Sequence, residues 1–270
     1  MIDFHNHLIP GVDDGAADLE QSHAALGALH DQGVRTIITT PHLPGSLLSR
    51  PGPLAKVMAE IDDAWERLQD MSQREFPEIC LKRGAEIALD SPSPDVSDPR
   101  VRLAGTSFVL VEFPYMSVPP NSVNAIYELR AKGWNPIIAH PERYSGVDSE
   151  LQVFEEWRRV GGLLQVNCGS LMGRYGKLVQ TTAWRLLELG WVCYLSSDYH
   201  ARGRCPVSDA RLLLESKGAE EQAVLLLEHN GALLLKDEQP RSVDPVLKRR
   251  RSLWSRGFDF FRGGKASSWP

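Results

Sequence analysis

Residues 33–42 read GVRTIITTPH, and the order of residue types in this stretch carries the fold. Gly33 ends the helical pattern that runs over about 18–32, where Asp18 can cap the start. A β-branched run, 34–39, follows at once and reads as a short buried strand. The strand then delivers a histidine, His42, just beyond its C-terminal end. The same helix–glycine–strand order recurs at Gly133, at Gly161 or Gly162, and at Gly190. Further strands are read at 2–4, 79–84, 107–112, 136–140, 163–167 and 192–197. Helical patterns fill 53–72, 120–132, 149–160, 177–189 and 207–228, and Pro/Ser/Gly-rich loops fall at 44–53 and 90–99. Strands separated by helices cannot be hairpins; they predict a parallel α/β protein with helical crossovers. Seven candidate strands suit a closed or nearly closed barrel, with an open doubly wound sheet as the alternative.

The totals agree with that class. A chain of 270 residues, 42% apolar, can bury a substantial core. No run of about 18 apolar residues predicts a membrane span, and no basic-then-apolar leader opens the chain. Cys80, Cys168, Cys193 and Cys205 form no Cys-x-x-Cys pair and read as free thiols of a reducing compartment, so the expected location is cytoplasmic. Net charge is −5, unevenly spread: residues 239–270 hold 8 basic and 2 acidic side chains, which leaves the rest strongly acidic. The strand–helix pattern stops near 239. The reading is therefore a body of residues 1–238 and a basic, aromatic tail of 239–270.

Strand ends carry the chemistry. In a strand, residues i and i+2 face one side, so His5 and His7 point together, as do Asp198 and His200. His42, Glu86, Glu112 and His140 close other strands, and Asp14 lies in the first loop. In parallel α/β folds this is the functional face. Imidazoles packed among carboxylates strand buried polar groups at about 1–3 kcal/mol each unless cations join them. The donor mixture suits Mn, Fe or Zn, and nine donors exceed the needs of one ion. His23, His30 and His229 fall outside this pattern. A water between two such ions can ionise near neutral pH and attack phosphorus in line. Arg143, just past His140, can clamp a phosphate with paired N–H groups.

The pieces IDFHNHLIPGVDDG, GVRTIITTPH, GAEI, EFP, PIIAHPERY, GSLMG and SSDYH, in that order over about residues 1–235, resemble the polymerase and histidinol phosphatase (PHP) superfamily. They are most similar to its bacterial metal-dependent protein-tyrosine phosphatases of capsule and exopolysaccharide regulation. The resemblance implies a distorted (β/α)7 barrel of the PHP type. It implies three metal ions, usually manganese, held by His5, His7, Asp14, His42, Glu86, Glu112, His140, Asp198 and His200. It also implies hydrolysis of phosphotyrosine on the tail of a bacterial tyrosine autokinase. A second arginine is implied shortly after SSDYH, five residues past the histidine. Cys205 stands there, so Arg204 is assigned the role and Arg202 is the alternative.

Other readings compete. The same centre could serve a small phosphomonoester such as histidinol phosphate, or a phosphodiester; the protein could also be a scaffold that only docks a kinase. Cys168 and Arg174 have the Cys-x5-Arg spacing of thiolate phosphatases, although no histidine precedes the cysteine and Tyr175 follows the arginine. The tail, with KRRR near Trp254 and Phe258, suits contact with an anionic membrane or an acidic kinase better than with nucleic acid.

Overall fold

The computed structural model describes residues 1–91, 93–147 and 151–246. The strands are β1 (Ile2–Asp3), β2 (Thr36–Thr39), β3 (His42–Pro44), β4 (Cys80–Arg83), β5 (Glu86–Ala88), β6 (Phe108–Glu112), β7 (Asn135–Ala139), β8 (Leu163–Asn167) and β9 (Val192–Ser196). They form one sheet of order β1-β2-β4 and another of order β3-β5-β6-β7-β8-β9. Every pairing is parallel. The chain is thus an α/β protein built on parallel sheets, as its strand–helix alternation predicts.

Hydrogen bonds join the two sheets. Pro41 lacks an N–H and interrupts the strand between β2 and β3, but Gly84 N donates to Thr39 O (2.9 Å) and Glu86 N to Pro41 O (3.0 Å). β1 continues past Asp3 into a parallel bridge between Asn6 and Tyr199. There Asp198 N donates to His5 O (2.8 Å) and His7 N to Tyr199 O (2.9 Å).

Strand faces alternate between two apolar clusters. Phe108, Leu110, Ile137 and Ala139 join Phe4, Ile38 and Tyr194 in one. Val109, Val111, Ile138, Leu164 and Val166 join the helices in the other. Burial on both faces explains why β6 and β7 read as continuous apolar runs.

The helices mostly fall where their patterns put them: Leu19–Asp31, Pro51–Glu75, Ser122–Ala131, Gln152–Arg159 and Lys177–Glu188. Asp18 caps the first through Gln21 N, at 2.9 Å. Gly33, Gly133, Gly161 and Gly190 all have positive φ at helix ends. Two expectations change. The span 44–53 is not all loop, since Gly45–Leu48 is a helical turn and the long helix begins at Pro51. The helix read at 207–228 breaks after Glu215, where Gly218 turns the chain with φ +75°, and resumes from Glu220 to Leu234.

Residues 239–246, the start of the expected tail, lie against the body: Val243 and Val246 are buried and Val246 N donates to Leu187 O at 3.0 Å. The rest of that tail, with KRRR and its aromatics, lies outside the described residues. Among the described residues no helix is long and apolar enough to cross a membrane.

Candidate metal centre

The eight side chains read at strand ends and Asp14 of the first loop meet on one face. Glu86, at the start of β5 and fully buried, is their hub. Its Oε2 lies 3.1 Å from His5 Nε2, 3.4 Å from His7 Nε2 and 3.2 Å from His42 Nδ1. Its Oε1 lies 2.9 Å from His140 Nε2. Asp198 Oδ1 approaches His5 Nε2 and His7 Nε2 at 3.4 and 3.5 Å, and Glu112 Oε1 lies 3.2 Å from His42 Nδ1. At the outer edge, Asp14 Oδ1 lies 3.3 Å from His200 Nε2 and 3.5 Å from His42 Nε2. Each of the nine falls in at least one cluster of donor atoms within 4.8 Å of one another: His7/Asp14/His42/His200, His5/His140/Asp198, His5/His7/Glu86 and His42/Glu86/Glu112.

Hydrogen bonding leaves this centre unfinished. His5 Nε2, His7 Nε2, His42 Nδ1, His140 Nδ1 and Glu86 Oε2 are buried without a hydrogen-bond partner. Stranding that many polar atoms would cost several kcal/mol in a site that held nothing. Nitrogen and carboxylate donors in this mixture are the ligands of Mn, Fe or Zn, so the residues present fit divalent cations.

The outer nitrogens of His5 and His7 are occupied, and this fixes which atom of each ring faces inward. His5 Nδ1 pairs with Gln165 Oε1 at 2.8 Å. His7 Nδ1 pairs with Asp13 Oδ2 at 2.7 Å. Gln165 Nε2 donates to Asn167 Oδ1, and Asn167 Nδ2 donates to Asp198 Oδ2 at 2.7 Å. Asp13, Gln165 and Asn167 escaped the sequence reading. The signals were present: Asp13 adjoins Asp14, and Gln165 and Asn167 are an i, i+2 pair at the end of β8. Amides are not ligand-type residues, so only the orienting role distinguishes them.

Electrostatics state the same demand for positive charge. Burial alone would lower the pKa of His5, but the carboxylates of Glu86 and Asp198 outweigh it and raise it to about 9. His7 is also raised, as Asp13, Asp198 and Glu86 overcome its burial. Burial pushes the Glu86 carboxyl up, and the surrounding imidazoles bring it well below the usual range.

The backbone is bent to fit. His140 (φ +35°) and Asp198 (φ +51°) are non-glycine residues in left-handed conformation, each held at about 1–3 kcal/mol. In the first loop only glycine fits at position 15, because a Cβ there would lie 2.1 Å from His7 O.

The arginines divide. Arg143 Nη1 donates to Asp198 Oδ2 at 2.6 Å, and its guanidinium lies 4.5 Å from the centre of the Tyr175 ring. Arg204 is not brought to the cluster; its guanidinium pairs with Asp209 at 2.7 Å and its side chain is 75% exposed. Arg202 is the one that reaches the rim, donating to Asp14 O.

The thiolate alternative fails on geometry. Cys168 is fully buried, and burial, helped by nearby Asp3, raises its pKa well above the usual thiol value. A thiolate nucleophile needs the opposite. The Arg174 guanidinium donates to Arg204 O at 2.5 Å and holds a loop. His23 and His30 pair with Glu75 and Glu78 away from the centre, as expected.

A rim of imidazoles and carboxylates at the strand ends of a parallel α/β frame defines a class: proteins with the donor set of a metal site. The family model described as "Capsular polysaccharide synthesis, CpsB/CapC" matches residues 1–236, and the chain belongs to that family. It is similar to tyrosine-protein phosphatase YwqE of Bacillus subtilis (strain 168), with 31% identity covering 97% of this chain and 100% of the relative. It is also similar to tyrosine-protein phosphatase CpsB of Streptococcus pneumoniae, with 27% identity over 74% of this chain and 83% of that one. A crystal structure from work on those two proteins, described as unique metal-dependent tyrosine phosphatases, superposes with a TM-score of 0.75 at 28% identity, covering 91% of this chain and 98% of the other.

Proposed function

We propose that this chain is a metal-dependent protein-tyrosine phosphatase that acts on the phosphorylated tail of a bacterial tyrosine autokinase and so regulates capsule or exopolysaccharide synthesis in the cytoplasm. The observation that carries the reading is the convergence of eight donor side chains on Glu86, with five buried polar atoms of His5, His7, His42, His140 and Glu86 left unpartnered. Family membership and the names of the relatives support the substrate class.

Residues 1–238 form the catalytic body in this reading, and the strands close as a distorted (β/α)7 barrel of the PHP type. Support comes from the Asn6–Tyr199 bridge between the first and last strands and from the separate apolar cluster behind the strands. His5, His7, Asp14, His42, Glu86, Glu112, His140, Asp198 and His200 hold three divalent ions, most simply manganese. When bound, such ions acidify water and neutralise phosphate charge. The chain's own residues do the rest. Asp13 and Gln165 hold the His7 and His5 imidazoles with Nε2 inward. Arg143 spends one N–H on Asp198 and keeps others for a phosphate oxygen, with the Tyr175 ring fixing its plane. Arg204 supplies the second guanidinium by leaving Asp209, since an exposed ion pair holds by only about 0–1 kcal/mol. Arg202 secures the Asp14 loop.

The test is elemental analysis of the purified protein, with assays before and after thorough chelation on a phosphotyrosine peptide, histidinol phosphate and a phosphodiester. Bound metal and peptide hydrolysis that chelation abolishes and manganese restores are expected. Hydrolysis that survives chelation contradicts the metal route, and faster turnover of either small substrate moves the activity to that class.

A further inference from the structure

Beside the donor cluster lies a cavity of about 340 Å³ that the chemistry above does not use. Its walls combine Leu89, Phe113, Tyr115 and two prolines with the polar side chains of Asp90, Ser117 and Asn121. It opens on the cluster's own face, because these residues follow the C-terminal ends of β5 and β6. Leu89 N donates to Glu112 O at 2.8 Å, and Phe113 is the next residue after Glu112. The cavity wall at Phe113 therefore adjoins the strand end that carries Glu112, although none of the nine donors lines it.

That wall is rigid. Phe113 is buried and stacks on Trp157, with ring centres 5.2 Å apart. Its N–H donates to the Tyr144 hydroxyl at 3.0 Å. The rim is rigid too, and strained. Tyr115 (φ +59°) and Met116 (φ +48°) are consecutive left-handed non-glycine residues. Ser145 ties them down, with both its N–H and its hydroxyl donating to Met116 O. The outcome of this strain is a tyrosine that is 98% exposed. Folding gains nothing from an aromatic ring held in water on a strained turn; a ligand that covers the ring does.

We infer that this cavity is a subsite for an aromatic side chain of the substrate peptide, within two residues of the phosphotyrosine, with Tyr115 as a specificity-determining residue. The inference rests on the phosphatase reading above. An extended peptide advances about 3.3–3.6 Å per residue, so a near neighbour of the residue whose phosphate sits at the cluster reaches a cavity that begins one residue from Glu112. Prolines and aromatic rings offer flat apolar walls for a ring. The Asp90 carboxylate, already accepting from Ser46 N and its hydroxyl, disfavours an acidic or phosphorylated neighbour. The subsite thus prefers a phosphotyrosine flanked by an unphosphorylated aromatic residue.

The experiment compares full-length wild type with Tyr115→Ala, both loaded with manganese. Substrates are p-nitrophenyl phosphate and phosphotyrosine peptides with Phe, Ala or Asp at each position within two residues of the phosphotyrosine. For wild type, the best Phe-flanked peptide is expected to have kcat/KM roughly three- to tenfold above its Ala counterpart, mostly through KM, with Asp worst. Tyr115→Ala is expected to erase that preference and leave p-nitrophenyl phosphate turnover unchanged; the exposed ring makes misfolding no obstacle. Equal rates for Phe and Ala peptides in wild type, or a preference that persists in the variant, overturns the subsite. If wild type hydrolyses none of the substrates, p-nitrophenyl phosphate included, the phosphatase reading falls and takes the subsite with it.

Discussion

At the scale of single residues, the centre depends on side chains that never face it. Asp13 is 2.7 Å from His7 Nδ1 and also accepts from His42 N and Gly15 N, so one carboxylate orients a donor and holds two stretches of chain. Asp13→Asn keeps the shape and removes the charge. We expect metal affinity to fall about 10–100-fold, read by calorimetric titration of the apo protein with Mn²⁺, while Asp18→Asn at the distant helix cap leaves affinity unchanged. The arginine assignment is settled by a pair. Arg204→Ala is expected to lower kcat/KM on a phosphotyrosine peptide about 10²-fold, the scale of losing one transition-state charge contact, and Arg202→Ala less than about tenfold; the reverse order moves the role to Arg202. Cys168→Ser should retain most activity, because a buried thiol with a raised pKa is packing; loss of turnover in a folded variant would revive the covalent route. The sequence made the donors legible through the i, i+2 rule, since His5/His7 and Asp198/His200 cannot avoid sharing a face. It hid the orienting groups because glutamine and asparagine are ordinary strand-end residues until a histidine is known to stand opposite.

At the scale of elements, the long strands and helices could be read because burial on both faces leaves unbroken Val/Ile/Leu runs and glycine marks the helix ends. β3 and β5 could not, for each is only three residues long and follows an interruption, Pro41 or Gly84, that mimics a loop. Yet these fragments deliver His42 and Glu86, so the interruptions do structural work: they let the strands bend while keeping the donors on the sheet. The same economy governs the first loop, which returns over His7 so tightly that Gly15 admits no side chain. Gly15→Ala would place a Cβ 2.1 Å from His7 O and 2.4 Å from His7 Cβ. Backbone must shift, at a cost of about 1–3 kcal/mol, and Asp13 and Asp14 move with it. Urea unfolding should show that loss of stability, and elemental analysis should show fewer bound ions per chain. A variant with wild-type metal content and stability would mean the loop is held by something other than this contact.

At the scale of the whole molecule, charge and packing give different boundaries. Composition changes near 239, where an acidic body meets a basic segment, but the packing does not change there. Gln239 Nε2 donates to Asn135 Oδ1 at 2.8 Å, and Arg241 exchanges two hydrogen bonds with buried Asn230 at 2.9 and 3.0 Å. Val243 and Val246 are 5% and 3% exposed. A hydrophobic pattern of two valines in eight residues is too sparse to read as an element, which is why the sequence placed the boundary by charge. Two truncations test the strap. Removing residues 247–270 gives the reference form and should leave peptide hydrolysis unchanged. Removing residues 239–270 should also spare the chemistry at low temperature, because none of the nine donors touches the strap, but it exposes two valine sites and strands Asn230. At about 1.5–3 kcal/mol per buried valine, reduced because an unfolded chain already buries part of that surface, the loss is about 2–5 kcal/mol. Urea midpoints measured on both forms with metal saturating check this. Equal midpoints would show that the strap adds nothing and that the boundary given by charge is also the mechanical one.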